Sequence, residues 1–247
     1  MIKQKESDYL RVFIARTLGN FLILSSFFII FRVLYQPAKE EIKYFLNTQS
    51  GKTFIVVDPL KDKVIKNNGK NSIYYENSDK TLKGGLLSLV EDKNTEFLIP
   101  TDTNFSVVVP KIGANSNVIG NVSTVEKDEY LQALKTGVAH ASGTAFPGEG
   151  GHIFLFAHST DNIFNVESYN AVFYLLYKLE VGDEVNLFYK GKRFVYRVTG
   201  KEIVDPDKVE YLTKKTDKEF LTLQTCWPPG TTFKRQLVFA EPIVALP

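Results

Sequence analysis

The sequence predicts an all-β barrel or sandwich preceded by one N-terminal membrane helix. Three observations carry that expectation. From Phe105 to Glu241 the chain falls into at least seven short apolar or alternating runs separated by Gly, Pro and Asn turns, with one soluble helix among them. The strand–helix alternation of a doubly wound sheet is missing there, as is any GxGxxG or Walker-type loop. Ahead of it, Thr17 to Phe31 (TLGNFLILSSFFIIF) is 15 residues without a charge.

Fifteen residues are short for a bilayer, which takes about 20. Arg16 and Arg32 flank the run, and arginine can keep its stem in hydrocarbon while its head reaches water, so Val12 to Tyr35 predicts a 24-residue span. Lys3, Lys5, Arg11 and Arg16 lie before or at its start, which by the positive-inside bias puts the N-terminus in the cytoplasm and the body outside. A cleaved signal would start similarly, but no small-x-small site follows Phe31. A buried core helix is the remaining alternative. Residues 1–35 are therefore expected to be a cytoplasmic tail and transmembrane anchor.

The elements follow in order. Pro37 to Phe45 reads as a short polar helix or stalk. Residues 36–104 are expected to be a membrane-proximal linker or small accessory module. FIVVDP (54–59) and SIYYEN (72–77) there are strand-like, and LKGGLLSLVED (82–92) suits a short helix or a loop with a strand. FSVVVPKIG (105–113) and SNVIGNV (116–122) are strands with Gly and Asn turns. Asp128 to Thr136 is the best soluble helix, with Tyr130, Leu131 and Leu134 on one face and Gly137 ending it. The loop SGTAFPGEGG (142–151) leads into the strand HIFLFAH (152–158), and Tyr169 to Leu179 suits a helix or 3₁₀ turn on the core. Residues 184–200 form a hairpin turning at KGK. EFLTLQTC (219–226) and RQLVFAE (235–241) are two more strands around a WPPGTT loop, and neighbouring strands are expected to be antiparallel.

Composition excludes several classes. The 247 residues suit one sizeable core with attachments. A single cysteine rules out an intramolecular disulfide and any all-cysteine metal or iron–sulfur site, and three histidines leave little for a histidine-rich one. With no EF-hand spacing either, no metal or cofactor is expected. The net charge of +2 arises in residues 1–35, where five basic residues face two acidic ones, and no basic face suggests nucleic acid.

Cys226 ends an apolar strand before a proline- and glycine-rich loop, and His158 closes another strand in the same manner. A thiol near pKa 8.5 is only a few per cent thiolate at neutral pH, so a cysteine nucleophile needs a base or ion-pair partner. Only His140, His152 and His158 can supply an imidazole. Arg235 follows on the returning strand, where a guanidinium could hold a substrate carbonyl or an oxyanion. Lys234 points to the opposite face if the strand is regular. Each residue also has an inert reading: a buried small hydrophobe for the cysteine, packing or surface positions for the others.

The segment FLTLQTCWPPGTTFKRQLVFAE resembles the carboxy-terminal signature of the sortase family, in which a strand ends in TLxTC and the next carries an essential arginine. GVAHASGTAFPGEGGHIFLFAH resembles that family's loop and strand ending in the catalytic histidine, and VVVPKIG, YLQALKTGVAH and YKLEVGDEVNLFYKGKRFVYRV also fit, so the likeness spans roughly 105–241 in order. It implies a closed or nearly closed eight-stranded β-barrel with short helices, forming a catalytic domain over residues 105–247. Catalytic roles then fall on Cys226, His158 and Arg235. His140, Thr225 and Trp227 are substrate-binding or supporting, with His140 in a supporting or substrate-loop role. Gln224 stands two before the cysteine, while Leu223 and Thr225 keep the places of TLxTC. His152 replaces a common asparagine, and Phe156-Ala157-His158 replaces Ala-Gly-His, reducing backbone room beside the imidazole.

The resemblance further implies a cysteine transpeptidase at the cell membrane. It would cleave a C-terminal sorting motif of exported proteins through a thioacyl enzyme and pass the acyl group to an amine on a cell-wall precursor or pilin-like subunit. Rival expectations are another exported cysteine peptidase or cell-wall transpeptidase, a non-catalytic membrane-anchored module binding surface protein or glycan, and a structural assembly module.

Overall fold

The apolar N-terminal run lies within one helix, α1 (Ile2–Gln49), in the computed structural model, which describes residues 2–59, 65–66, 73–74, 94–159, 172–213 and 216–243. Tyr9–Arg32 is 24 residues long and apolar enough to cross a membrane, about 36 Å at the helical rise. Phe13, Phe21, Leu24 and Phe27 are exposed along it, so the buried core helix is not what forms. The expected separate stalk helix is also corrected: Pro37 sits inside α1, and one helix covers both segments. By contact the chain divides into Met1–Phe45 and Leu46–Pro247.

In the second unit β1 (Thr53–Val56) and β4 (Thr95–Leu98) form a parallel pair, and β2 (Ile65–Lys66) and β3 (Ile73–Tyr74) an antiparallel one. Residues 82–92, expected as a helix or loop, lie outside the described residues. The barrel strands are β5 (Phe105–Val109), β6 (Ala114–Val122), β7 (Val138–Ala141), β8 (His152–Phe156), β9 (Glu184–Tyr189), β10 (Lys192–Val204), β11 (Phe220–Trp227) and β12 (Lys234–Pro242). They close in the order β10–β12–β11–β8–β7–β6–β5–β9, which is the eight-stranded barrel expected. Helix α2 (Lys127–Thr136) and α3 (Glu210–Thr213) are the short helices. The aromatic run before β9 forms a 3₁₀ turn at Leu176–Lys178, with Phe173, Leu176 and Leu179 buried.

One expectation fails in part. Two neighbouring pairs, β6 with β7 and β8 with β11, are parallel. The first follows from α2, which carries the chain back along the barrel so that β7 starts level with β6, a connection no tight turn can make.

Period-two alternation sorts the strand residues. Val107, Val109, Ile153, Leu155, Val185, Leu187, Tyr196, Val198, Leu221, Leu223, Val238 and Ala240 pack together as one core cluster. Each fully buried aliphatic side chain there stabilises the fold by about 1.5–3 kcal/mol. The outer face is covered in two places. Val56 and Leu98 of the β1–β4 pair sit against Val108 and Phe188, and Arg193 donates to both the Asn186 side chain and the Val56 carbonyl. Tyr211 and Leu212 of α3 cover Phe154, Val204 and Leu237.

His140 of β7 pairs with Leu155 of β8 and organises the loop that joins these two strands. It is fully buried, and its ring stacks on Phe146 at 4.3 Å. Nδ1 accepts from the Asn121 N–H at 3.1 Å, so the proton sits on Nε2, which donates to the Ala145 carbonyl at 2.9 Å. This pins the 142–151 loop, whose Gly148 and Gly150 N–H groups are in turn held by Glu219.

Burial holds the imidazole below its ordinary pKa. The unfolded chain therefore binds a proton that the folded chain refuses, and the stabilisation His140 contributes, complete above about pH 6.5, is lost as pH falls toward the folded value. In urea unfolding of the full chain in detergent, His140→Gln will be less stable than wild type at pH 7.5. That gap will narrow at pH 5.5; a constant or wider gap contradicts the assignment.

Candidate active site

The register places two chemically capable side chains on one sheet face, and a third follows just past the end of the neighbouring strand. On β11 and β12, Cys226 lies directly opposite Arg235, and the pairing runs without a shift from Leu221 to Trp227. Side chains opposite one another share a face, so thiol and guanidinium project to the same side. On the other flank β8 runs parallel to β11, with Phe156 level with Gln224. Pairing continues past the end of β8: the Ala157 N–H donates to the Gln224 carbonyl at 3.1 Å, and the Thr225 hydroxyl donates to the Ala157 carbonyl at 2.9 Å. The next residue is His158, two steps beyond Phe156, as Cys226 is two beyond Gln224. Imidazole, thiol and guanidinium thus come from three adjacent chain segments, with strand spacings summing to roughly 10 Å.

Cys226 is half-buried. Burial pushes its thiol pKa up and the charge of Arg235 pulls it partly back, with burial the larger effect. The free protein therefore holds a neutral thiol at pH 7. Arg235 is anchored through Nη1 to the carbonyls of Thr232 at 3.1 Å and Lys234 at 3.2 Å. Lys234, on the opposite side of a regular strand, lies 3.5 Å from Asp205 at the end of β10.

The residues read as supporting separate into two groups. Thr225 is buried on the face opposite Cys226, where its hydroxyl fastens the chain just before His158. Trp227 also faces away from the thiol, with its ring 5.2 Å from that of Tyr177. His140 is not brought to the trio. It lies on β7, level with Leu155 of β8 and through it with Leu223 of β11, and its ring supports the 142–151 loop by donating to the Ala145 carbonyl. Sequence reasoning missed the main-chain carbonyls of Ala157 and Thr232, whose partners are set by register and not by residue type. Among the described residues, no group of three or more His, Cys, Asp and Glu could hold a metal ion.

Comparison with known proteins gives a consistent result. A family model described as the sortase domain matches residues 107–243. The chain is 29% identical over 136 residues to sortase D of Bacillus subtilis (strain 168), a match covering 54% of this chain and 60% of that relative. It thus spans about three-fifths of that protein's length. Among solved structures it is similar to sortase C-1 of Actinomyces oris, at 25% identity and a TM-score of 0.49 over 59% of this chain and 76% of that one. Sortase C of Clostridium perfringens SM101 is 28% identical, with a TM-score of 0.45 over 57% and 69%.

The electrostatics predict how the thiol titrates. Iodoacetamide labelling of Cys226 in the full chain will have a midpoint above the roughly 8.5 of a free cysteine. Arg235→Ala will move it further up, by roughly half a pH unit, because a nearby positive charge is removed. A midpoint below 8.5, or none of this response to Arg235→Ala, contradicts the arrangement.

Proposed function

The chain belongs to the sortase family, a family of transpeptidases, and on that premise we propose that it is a membrane-anchored cysteine transpeptidase acting on the C-terminal sorting motif of exported proteins. The observation that carries this reading is the register that sets Cys226 directly opposite Arg235, and His158 two residues past the Phe156–Gln224 pair supports it.

The chemistry balances with these three side chains. The Cys226 thiol gives its proton to His158 as sulfur attacks the carbonyl carbon of a threonine in the motif. Arg235 stabilises the negative charge developing on the carbonyl oxygen, since it stays cationic at any useful pH. The tetrahedral intermediate collapses by breaking the C–N bond, and the imidazolium returns the proton to the leaving amine. A thioester on Cys226 remains. An amine on a cell-wall precursor or pilin-like subunit then attacks it, passing its proton through His158 back to the departing thiolate. Water gives hydrolysis instead unless the amine is better positioned.

The apolar stretch Tyr9–Arg32 supports a single-pass anchor. Lys3, Lys5, Arg11 and Arg16 argue that the N-terminus is cytoplasmic and the barrel extracellular. Enzyme and exported substrate would then meet in two dimensions.

Mass spectrometry of the full chain in detergent, incubated with a library of sorting-motif peptides and mixed amines, tests the reading. A thioacyl adduct on Cys226 and amine-transfer products are expected. Cys226→Ala will form no adduct, and His158→Ala and Arg235→Ala will each turn over at least about 10²-fold more slowly. Normal cleavage by Cys226→Ala removes the mechanism. A Cys226 that forms no adduct with any peptide, and is labelled by iodoacetamide independently of His158, favours the non-catalytic binding module.

A further inference from the structure

The loop between β11 and β12 is built as a support for Arg235. Its sequence, Pro228-Pro229-Gly230-Thr231, suits a type II turn, with proline at the second position and glycine at the third. Gly230 has φ +84°, a conformation that costs a side-chain-bearing residue strain and glycine none. The turn is closed twice at one oxygen: the Thr231 N–H reaches the Pro228 carbonyl at 3.0 Å and the Thr231 hydroxyl reaches it at 2.8 Å. The carbonyl of Thr232, the residue after the turn, accepts from Arg235 Nη1 at 3.1 Å. Arg235 in turn stands opposite Cys226 in the β11–β12 register.

We propose that Thr231 is a positioning residue for Arg235, its side chain closing the Pro228–Thr231 turn so that the Thr232 carbonyl holds the guanidinium across from the thiol. This rests on the reading of Cys226 and Arg235 as a working pair. A long arginine side chain has many rotamers, and a fixed acceptor on the loop removes most of them before substrate arrives. The threonine hydroxyl can make this bond at little entropic cost because its χ1 is already restricted. Valine keeps the shape and loses the bond, while serine keeps the bond. Neither substitution touches the thiol.

The readout is the pH profile of iodoacetamide labelling at Cys226 in the full chain in detergent. Among the described residues Arg235 is the charge that acts on the thiol; His158 follows β8, and Lys234, on the other side of β12, pairs with Asp205 after β10. Residues 228–233 carry no charge, so a substitution at Thr231 acts on the profile only through how it places these groups. Thr231→Val is expected to move the labelling midpoint up by about 0.3 pH unit, part of the Arg235→Ala shift, while Thr231→Ser leaves it within about 0.1. On the Arg235→Ala background, Thr231→Val is expected to add nothing, the signature of two residues acting through one interaction. If Thr231→Val leaves the midpoint unmoved while Arg235→Ala shifts it, the positioning role is overturned and the active-site reading stands. The role is also overturned if the two shifts add in full. If Arg235→Ala itself has no effect, the paired site fails, and the inference goes with it.

Discussion

The parallel pairing of β8 with β11 is the constraint on which the rest depends. A strand's side chains alternate faces, so a slip of one residue would turn the core residues of β8 outward and put the chain leading to His158 out of step with Cys226. The pairing is pinned at both ends. Where the strands start, the His152 ring stacks on Phe220 at 4.2 Å with the planes 2° apart, and its Nε2 lies 3.0 Å from the Thr222 hydroxyl. The Phe220 N–H also donates to the Gly151 carbonyl at 3.0 Å. Where they finish, the Thr225 hydroxyl grips the Ala157 carbonyl. Between these clamps Ile153, Leu155, Leu221 and Leu223 are buried, and none could move to the outer face without exposing its apolar surface. His152, which the sequence reading treated as a departure of small effect, is thus one of the two clamps.

Strand patterning was legible because each barrel strand buries one side, and alternation such as that in FVYRV survives in the residue order. Strand partners were not. HIFLFAH and EFLTLQTC are separated by 60 residues, and nothing in either shows that they run parallel and side by side. The trio was found by a different route, since Cys226, His158 and Arg235 sit inside segments that resemble a known signature. His140 shows the limit of that route. The match to a family histidine gave it a supporting or substrate-loop role without saying what it supports; its place between Phe105, Phe146 and the Asn121 N–H, with Nε2 on the Ala145 carbonyl, ties it to the 142–151 loop. Burial and hydrogen-bond partners decided this, and neither can be read from one line of sequence.

The N-terminal segment shows a related gap. Proline after an apolar run signals a helix end in most contexts, yet α1 continues through Pro37 to Gln49. Proline removes one backbone bond, and the uninterrupted turns on either side keep the helix as a single element. Composition located the apolar stretch correctly but could not say where the helix stops.

A half-buried thiol beside an arginine poses a problem that the geometry resolves in a particular direction. Were the guanidinium effect larger, Cys226 would rest as a thiolate, nucleophilic but also open to oxidation. Under oxidising conditions that state would be short-lived. Burial outweighs the arginine here, so the resting sulfur keeps its proton. The cost is that activation must come from a base brought within reach. Under the proposed mechanism His158 is that base, and the sulfur stays protonated, and comparatively protected, until a substrate carbonyl arrives.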